Sequence, residues 1–127
     1  MPHKILIVDD DHLLSNALAL SLKEKGFDTV QAMDALSAVV LAEKHSPDLV
    51  IMDFKMPAGT GVKVYERLQA ARGTLNQPVI FLSGFISQVR GLVPENPNIR
   101  LLSKPLEFPA LLACVHELLR LPPPAGA

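Results

Sequence analysis

Short aliphatic runs recur along this chain, separated by stretches in which apolar side chains return every three or four positions. The runs occupy residues 4–8, 48–52, 78–82 and 99–102, and their length and β-branched content predict strands; the more polar residues 27–32 are expected to form a short second strand. Between them the period lengthens. Leu14, Leu18 and Leu22 predict a helix over residues 13–25, with Gly26 as a left-handed stop. Asp34 is a good N-cap for a second helix through Lys44, which Ser46-Pro47 ends. After a turn at residues 56–61, Val62, Tyr65 and Leu68 mark the inner face of a third helix. Leu111, Leu112, Val115, Leu118 and Leu119 mark a last one over about residues 107–121. The fourth helical segment, residues 85–93, has room for about two turns before Pro94 and Pro97 stop it.

Strand followed by helix, five times over, predicts an α/β fold: a doubly wound, five-stranded parallel sheet with helices on both faces. The length, 127 residues, fits one domain with a real core. Residues 1–121 are expected to form that domain. Residues 122–127, Pro-Pro-Pro-Ala-Gly-Ala, cannot continue a helix and are expected to be a frayed end or a linker stub.

Composition narrows the function classes. Hydrophobic residues make up 49% and charged residues 20%, a globular balance. A formal charge of -1 and the lack of any basic run give no pull toward nucleic acid or an anionic membrane. No apolar run is long enough for a signal-peptide core or a membrane span, and the single cysteine, Cys114, excludes an internal disulfide. A cytoplasmic location is the simplest expectation. His3, His12, His45 and His116 show no metal spacing and are expected at the surface, while Cys114 and Tyr65 are expected to pack.

The candidate chemistry sits at the strand ends. Asp9-Asp10, Asp53, Ser83 and Lys104 each fall at or beside the C-terminal end of an aliphatic run. In an open parallel sheet that edge binds ligands, because the crossover loops diverge there. Carboxylates, a hydroxyl and an ammonium gathered at one edge make a site for a divalent metal and a phosphoryl group. Each residue alone has a plainer reading: the Asp9-Asp10-Asp11 run can cap the first helix, with Asp11 as the cap, and Asp53 can form a turn.

Taken together, these residues resemble the receiver domain of two-component response regulators, of flavodoxin-like (βα)5 fold. The resemblance covers residues 3–121. It rests on Ile5 to Asp11, on Asp48 to Pro57 with Gly61 beyond, on Ser83-Gly84 and on Lys104-Pro105. It implies that Asp53 is the phosphoacceptor and that Asp10 and Asp53 ligate Mg²⁺ directly. Asp9 would hold a coordinated water and the Lys55 backbone carbonyl would add an oxygen. Lys104 would pair with a phosphoryl oxygen, Ser83 would swing to bond it, and Gly84 would leave it space. A cis Lys104-Pro105 bond is also implied. Leu101 stands where the family often carries Tyr or Phe, a departure that bears on the readout and not on phosphorylation. Lys55, two residues after the acceptor, is a position whose side chain faces the phosphoryl group in this family and affects hydrolysis.

The resemblance implies a signalling module rather than an enzyme, one that catalyses only its own phosphorylation and dephosphorylation. The expected partners are a histidine kinase or phosphotransfer protein and a downstream protein or output domain of unknown identity. The short fourth helix resembles receivers of hybrid histidine kinases, and Met1 suggests an N-terminal receiver. Two alternatives stand beside this reading. One is a degenerate receiver that binds partners without phosphorylation, which the intact acid pair, acceptor, hydroxyl and lysine oppose. The other is an aspartyl-phosphate phosphatase, which needs Asp-X-Asp where this chain has Asp53-Phe54-Lys55.

Overall fold

The computed structural model describes residues 2–56, 59–72 and 77–124. Its main sheet has five parallel strands: β1 (Lys4–Val8), β2 (Asp28–Ala32), β3 (Leu49–Asp53), β6 (Val79–Ser83) and β7 (Ile99–Ser103). They lie in the order β2-β1-β3-β6-β7, so the chain first winds to one side of β1 and then to the other. Two-residue strands β4 (Lys55–Met56) and β5 (Gly59–Thr60) pair antiparallel in the loop after β3. Pro57, Ala58 and Asn76, which belong to predicted turns, lie outside the described residues, as do residues 125–127 of the tail.

The helices are α1 (His12–Glu24), α2 (Ala35–His45), α3 (Gly61–Arg72), α4 (Ile86–Val89) and α5 (Phe108–Leu118). Alternate strand residues face opposite ways, and this splits the core in two. Ile5, Ile7, Ile51 and Ile80 pack with Leu18 and Leu22 of α1 and Leu111 and Val115 of α5. Leu6, Val8, Val50, Met52 and Phe81 pack with Ala38 and Ala42 of α2, Val64 and Leu68 of α3, and Val89 of α4. The central strands are buried on both faces, which explains why they read as unbroken apolar runs.

The element ends follow local chemistry. Asp11 caps α1 by accepting the Leu14 N–H at 3.2 Å. Asp34 caps α2 through a capping box in which its carboxylate accepts the Ser37 N–H at 2.8 Å. These bonds hold the Asp34 carboxyl below its ordinary value. Gly26 ends α1 at φ +93, where a side chain would be strained.

Several expected boundaries are corrected. Asp53 and Ser83 are the last residues of their strands rather than the residues after them, and β2 starts at Asp28. The fourth helix is short and irregular, as expected: one α-turn is followed by a 3₁₀ turn at Arg90–Leu92, and Val93 is already extended ahead of Pro94. Helix α5 stops at Leu118 rather than Leu121. Arg120 turns left-handed at φ 57, and the Leu121 N–H donates to the His116 carbonyl at 2.8 Å. Of the four histidines only His12 is exposed, and His3, His45 and His116 are half-buried. His116 meets Phe27 edge-to-face at 5.8 Å, and its Nδ1 lies 2.7 Å from the Pro122 carbonyl oxygen. Tyr65 and Cys114 pack as expected, and burial raises the Cys114 thiol pKa.

Candidate functional site

The site sits where the winding reverses, at the C-terminal ends of β1 and β3, and extends across β6 to β7. Three backbone bonds at its base carry the sheet ladder one step onward. The Asp9 N–H donates to the Ala32 carbonyl at 3.1 Å, the Phe54 N–H to the Leu82 carbonyl at 2.9 Å, and the Lys104 N–H to the Ser83 carbonyl at 2.8 Å. The peptide bond after Lys104 is cis. Gly61 closes the loop that follows Asp53: a Cβ there would stand 2.8 Å from the Asp53 carbonyl oxygen and 3.1 Å from the Phe81 ring. Only glycine fits that approach.

The sheet edge gathers the expected side chains. Asp9, Asp10 and Asp53 each present an oxygen within 4.8 Å of the others. Asp9 and Asp53 are buried, while Asp10 is exposed. Lys104 reaches between the two buried acids, with Nζ 3.4 Å from Asp53 Oδ1 and 3.7 Å from Asp9 Oδ2. The Ser83 hydroxyl accepts the Phe85 N–H at 3.0 Å, and Asp53 Oδ1 accepts a long 3.4 Å bond from the Lys55 N–H.

The electrostatics favour a cation. Burial raises the Asp9 pKa, and the neighbouring Asp53 and Asp10 add to the rise. The Asp11 N–H and Lys104 oppose it without cancelling it. Asp9 Oδ2 is buried and makes no hydrogen bond. Three close carboxylates, one with a buried oxygen that makes no hydrogen bond, are hard donors that fit Mg²⁺. This has a pH signature. With its pKa raised, native Asp9 holds its proton more tightly than the unfolded chain does. Metal-free stability is therefore lost as pH rises from the ordinary carboxylate range through the raised value. In EDTA, the urea midpoint of the wild type is expected to fall over that interval. In Asp9→Asn this fall should shrink, and equal slopes in the two proteins would contradict the assignment.

A cavity of about 440 Å³ opens beside Asp53, which lines it with Phe54, Lys55, Ser83, Gly84, Phe85, Val89 and Lys104. A Cβ on Gly84 would meet nothing within 4 Å, so the space before it is open. Lys55 is exposed, with Nζ 6.0 Å from the centre of the Phe85 ring. The apolar wall of Phe54, Phe85 and Val89 did not emerge from the sequence reading. An aromatic two residues beyond Ser83 was the one available signal. Leu101 pairs in register with Phe81 and packs partly buried against the core on the α2–α4 face.

The chain is similar to known proteins along most of its length. The response regulator receiver domain profile matches residues 5–116. The DNA-binding dual master transcriptional regulator RpaA of Synechocystis sp. is 32% identical over 119 residues, which cover 92% of this chain and 49% of RpaA. The polar-differentiation response regulator DivK of Brucella anthropi is 26% identical over 125 residues, covering 94% of this chain and 98% of DivK. The chain thus spans about half of RpaA and nearly all of DivK. The crystal structure of the receiver domain of the hybrid histidine kinase CckA superposes with a TM-score of 0.77 at 26% identity, covering 91% of this chain and 98% of that one.

Proposed function

This chain belongs to the response regulator receiver family, and on that premise we propose that Asp53 accepts a phosphoryl group from a histidine kinase or phosphotransfer protein. The observation that carries the assignment is the Lys104 ammonium bridging Asp53 and Asp9 at the acidic edge. Receiver domains are signalling modules, and the phosphorylated form would signal through a change of shape to a downstream protein or output domain. Residues 1–121 are the receiver in this reading, and residues 122–127 are a tail or linker stub.

The chemistry follows from the positions of the side chains. An Asp53 carboxylate oxygen forms the new bond to phosphorus, the donor's bond to phosphorus breaks, and its electron pair leaves with the donor. Lys104 holds a phosphoryl oxygen. Ser83 accepts a hydrogen bond from Phe85, so its own hydroxyl proton is free to be donated to another phosphoryl oxygen. Asp9, Asp10, Asp53 and the Lys55 carbonyl would hold Mg²⁺, which offsets the repulsion among the assembled anions. No helix among the described residues is long and apolar enough to cross a membrane.

The direct test is intact mass after incubation with acetyl phosphate and Mg²⁺. A base-labile gain of one phosphoryl group is expected, mapping to Asp53. No gain, together with no beryllofluoride complex, would favour a phosphorylation-independent binding module.

The Lys55 side chain stands at the cavity mouth, able to pair with the phosphoryl group and hinder water attack. Lys55→Ala is expected to shorten the aspartyl-phosphate lifetime about two- to fivefold, the range of one exposed charge pair. Equal lifetimes in the two proteins would remove Lys55 from this role.

A further inference from the structure

The two outer strands of the sheet, β2 and β7, are built differently. At β7, Arg100 stands within the strand and Pro97 and Pro105 flank it, residue types that keep an edge from pairing with another chain. Past Asp28 at its start, β2 has no such residue: Thr29, Val30, Gln31 and Ala32 are uncharged. The Asp28 N–H donates to the His3 carbonyl, and the Ala32 carbonyl accepts the Asp9 N–H. Peptide groups alternate in direction along a strand, so those of Thr29 and Gln31 face outward from the sheet.

Two side chains on this edge each hold half of a hydrogen bond. Thr29 Oγ1 is buried and makes none, which is costly for a hydroxyl. Gln31 lies two residues on, on the same face, and spends its amide N–H groups on α1. They donate to Ser15 Oγ at 2.9 Å and to Asn16 Oδ1 at 2.8 Å. Gln31 Oε1 accepts nothing among the described residues, so the amide keeps an acceptor to offer. Within one strand such positions stand about 6.6 Å apart, and these two do not bond each other.

We propose that β2 pairs antiparallel with β2 of a second copy of this chain, about a twofold axis at Val30, so that the two sheets become one. In that register Thr29 stands opposite Gln31 of the second copy and exchanges both backbone bonds with it, and the symmetric pair does the same. Opposed residues project to the same face. The Thr29 hydroxyl therefore meets Gln31 Oε1 of the second copy and donates to it. That match is what selects a second copy as the occupant, because each edge supplies the acceptor that the other lacks. Val30 meets its own counterpart on the other face. Beyond the strands, Lys25 of each copy is carried toward Asp34 of the other, and both are exposed. On α1, Leu20 lies one turn from Asn16 on the same face and is 63% exposed; the pairing lays the α1 helices side by side and covers it. The paired strands run in opposite directions, so the acidic edges point apart and stay open. The inference stands whichever residue accepts the phosphoryl group.

Sedimentation velocity over about 5–500 µM protein tests this, with interference optics because the chain has one tyrosine and no tryptophan. The wild type is expected to form a reversible dimer with a Kd of about 10–100 µM, the weak end appropriate to a small interface. Thr29→Val keeps the shape and strand preference of the residue and removes the hydroxyl. It should weaken the dimer about tenfold, the scale of two net hydrogen bonds. Its urea midpoint at low concentration should equal or exceed that of the wild type, because the unbonded hydroxyl is gone. Thr29→Pro removes an N–H that the single chain does not use and should abolish the dimer, with far-UV circular dichroism reporting its fold. A wild type that stays monomeric throughout, or a Kd unchanged in Thr29→Val, would overturn the inference. A dimer that persists in folded Thr29→Pro would place the contact on another surface and overturn it equally.

Discussion

Asp53→Asn is expected to gain no phosphoryl group from acetyl phosphate under conditions that label the wild type, a loss of at least about a hundredfold. The amide is nearly isosteric, so the variant should fold, but it carries no anionic oxygen to attack phosphorus. It also removes one of three clustered carboxylates. A ligand at ten times its Kd stabilises a protein by about 1.4 kcal/mol, or about 5 °C for a domain of this size. Mg²⁺ should therefore raise the melting temperature of the wild type at saturating concentrations and raise that of Asp53→Asn much less. Labelling that persists in Asp53→Asn would place the acceptor elsewhere.

Phe81→Ala is expected to cost about 3–5 kcal/mol, a large fraction of the ~5–15 kcal/mol that holds most domains together. Phe81 is fully buried on β6, and its ring meets Phe54 and Tyr65 edge-on, each at 6.2 Å. It also sets the floor against which Gly61 and the Asp53 carbonyl close. Truncation would leave a cavity beneath the loop that follows Asp53, so the variant should lose stability and labelling together. Phe81→Leu refills most of that space and should cost clearly less. Urea unfolding followed by far-UV circular dichroism gives the comparison, since the chain has no tryptophan. A loss below about 1 kcal/mol in Phe81→Ala would contradict this packing account.

These two residues differ in how far the sequence revealed them. Asp53 was legible because an aliphatic run stops at a charged residue, and parallel sheets bring such stops to one edge. Asp9, Ser83 and Lys104 were legible for the same reason. That Phe81 lay inside could be read from its strand, but its support of the Asp53–Gly61 approach could not. That support depends on residues twenty positions apart meeting across the sheet. The apolar wall escaped notice on the same grounds. Phe85 and Val89 look like members of an ordinary short helix until their faces are seen beside Asp53.

By itself the sequence determined the alternation of strands and helices, the caps at Asp11 and Asp34, and the set of polar residues at the sheet edge. All of these rest on local rules: side-chain period, backbone preference and charge beside a helix end. The tertiary structure alone decided where β3 and β7 end, because bonds from Phe54 to Leu82 and from Lys104 to Ser83 extend the ladder past the aliphatic runs. The Arg120 turn likewise stops α5 short of its last leucines. It also decided that Asp9 is buried with an oxygen that makes no hydrogen bond and that Lys104 lies between two acids. Desolvation and charge pairing depend on distances through space, which no ordering of residues along a chain contains.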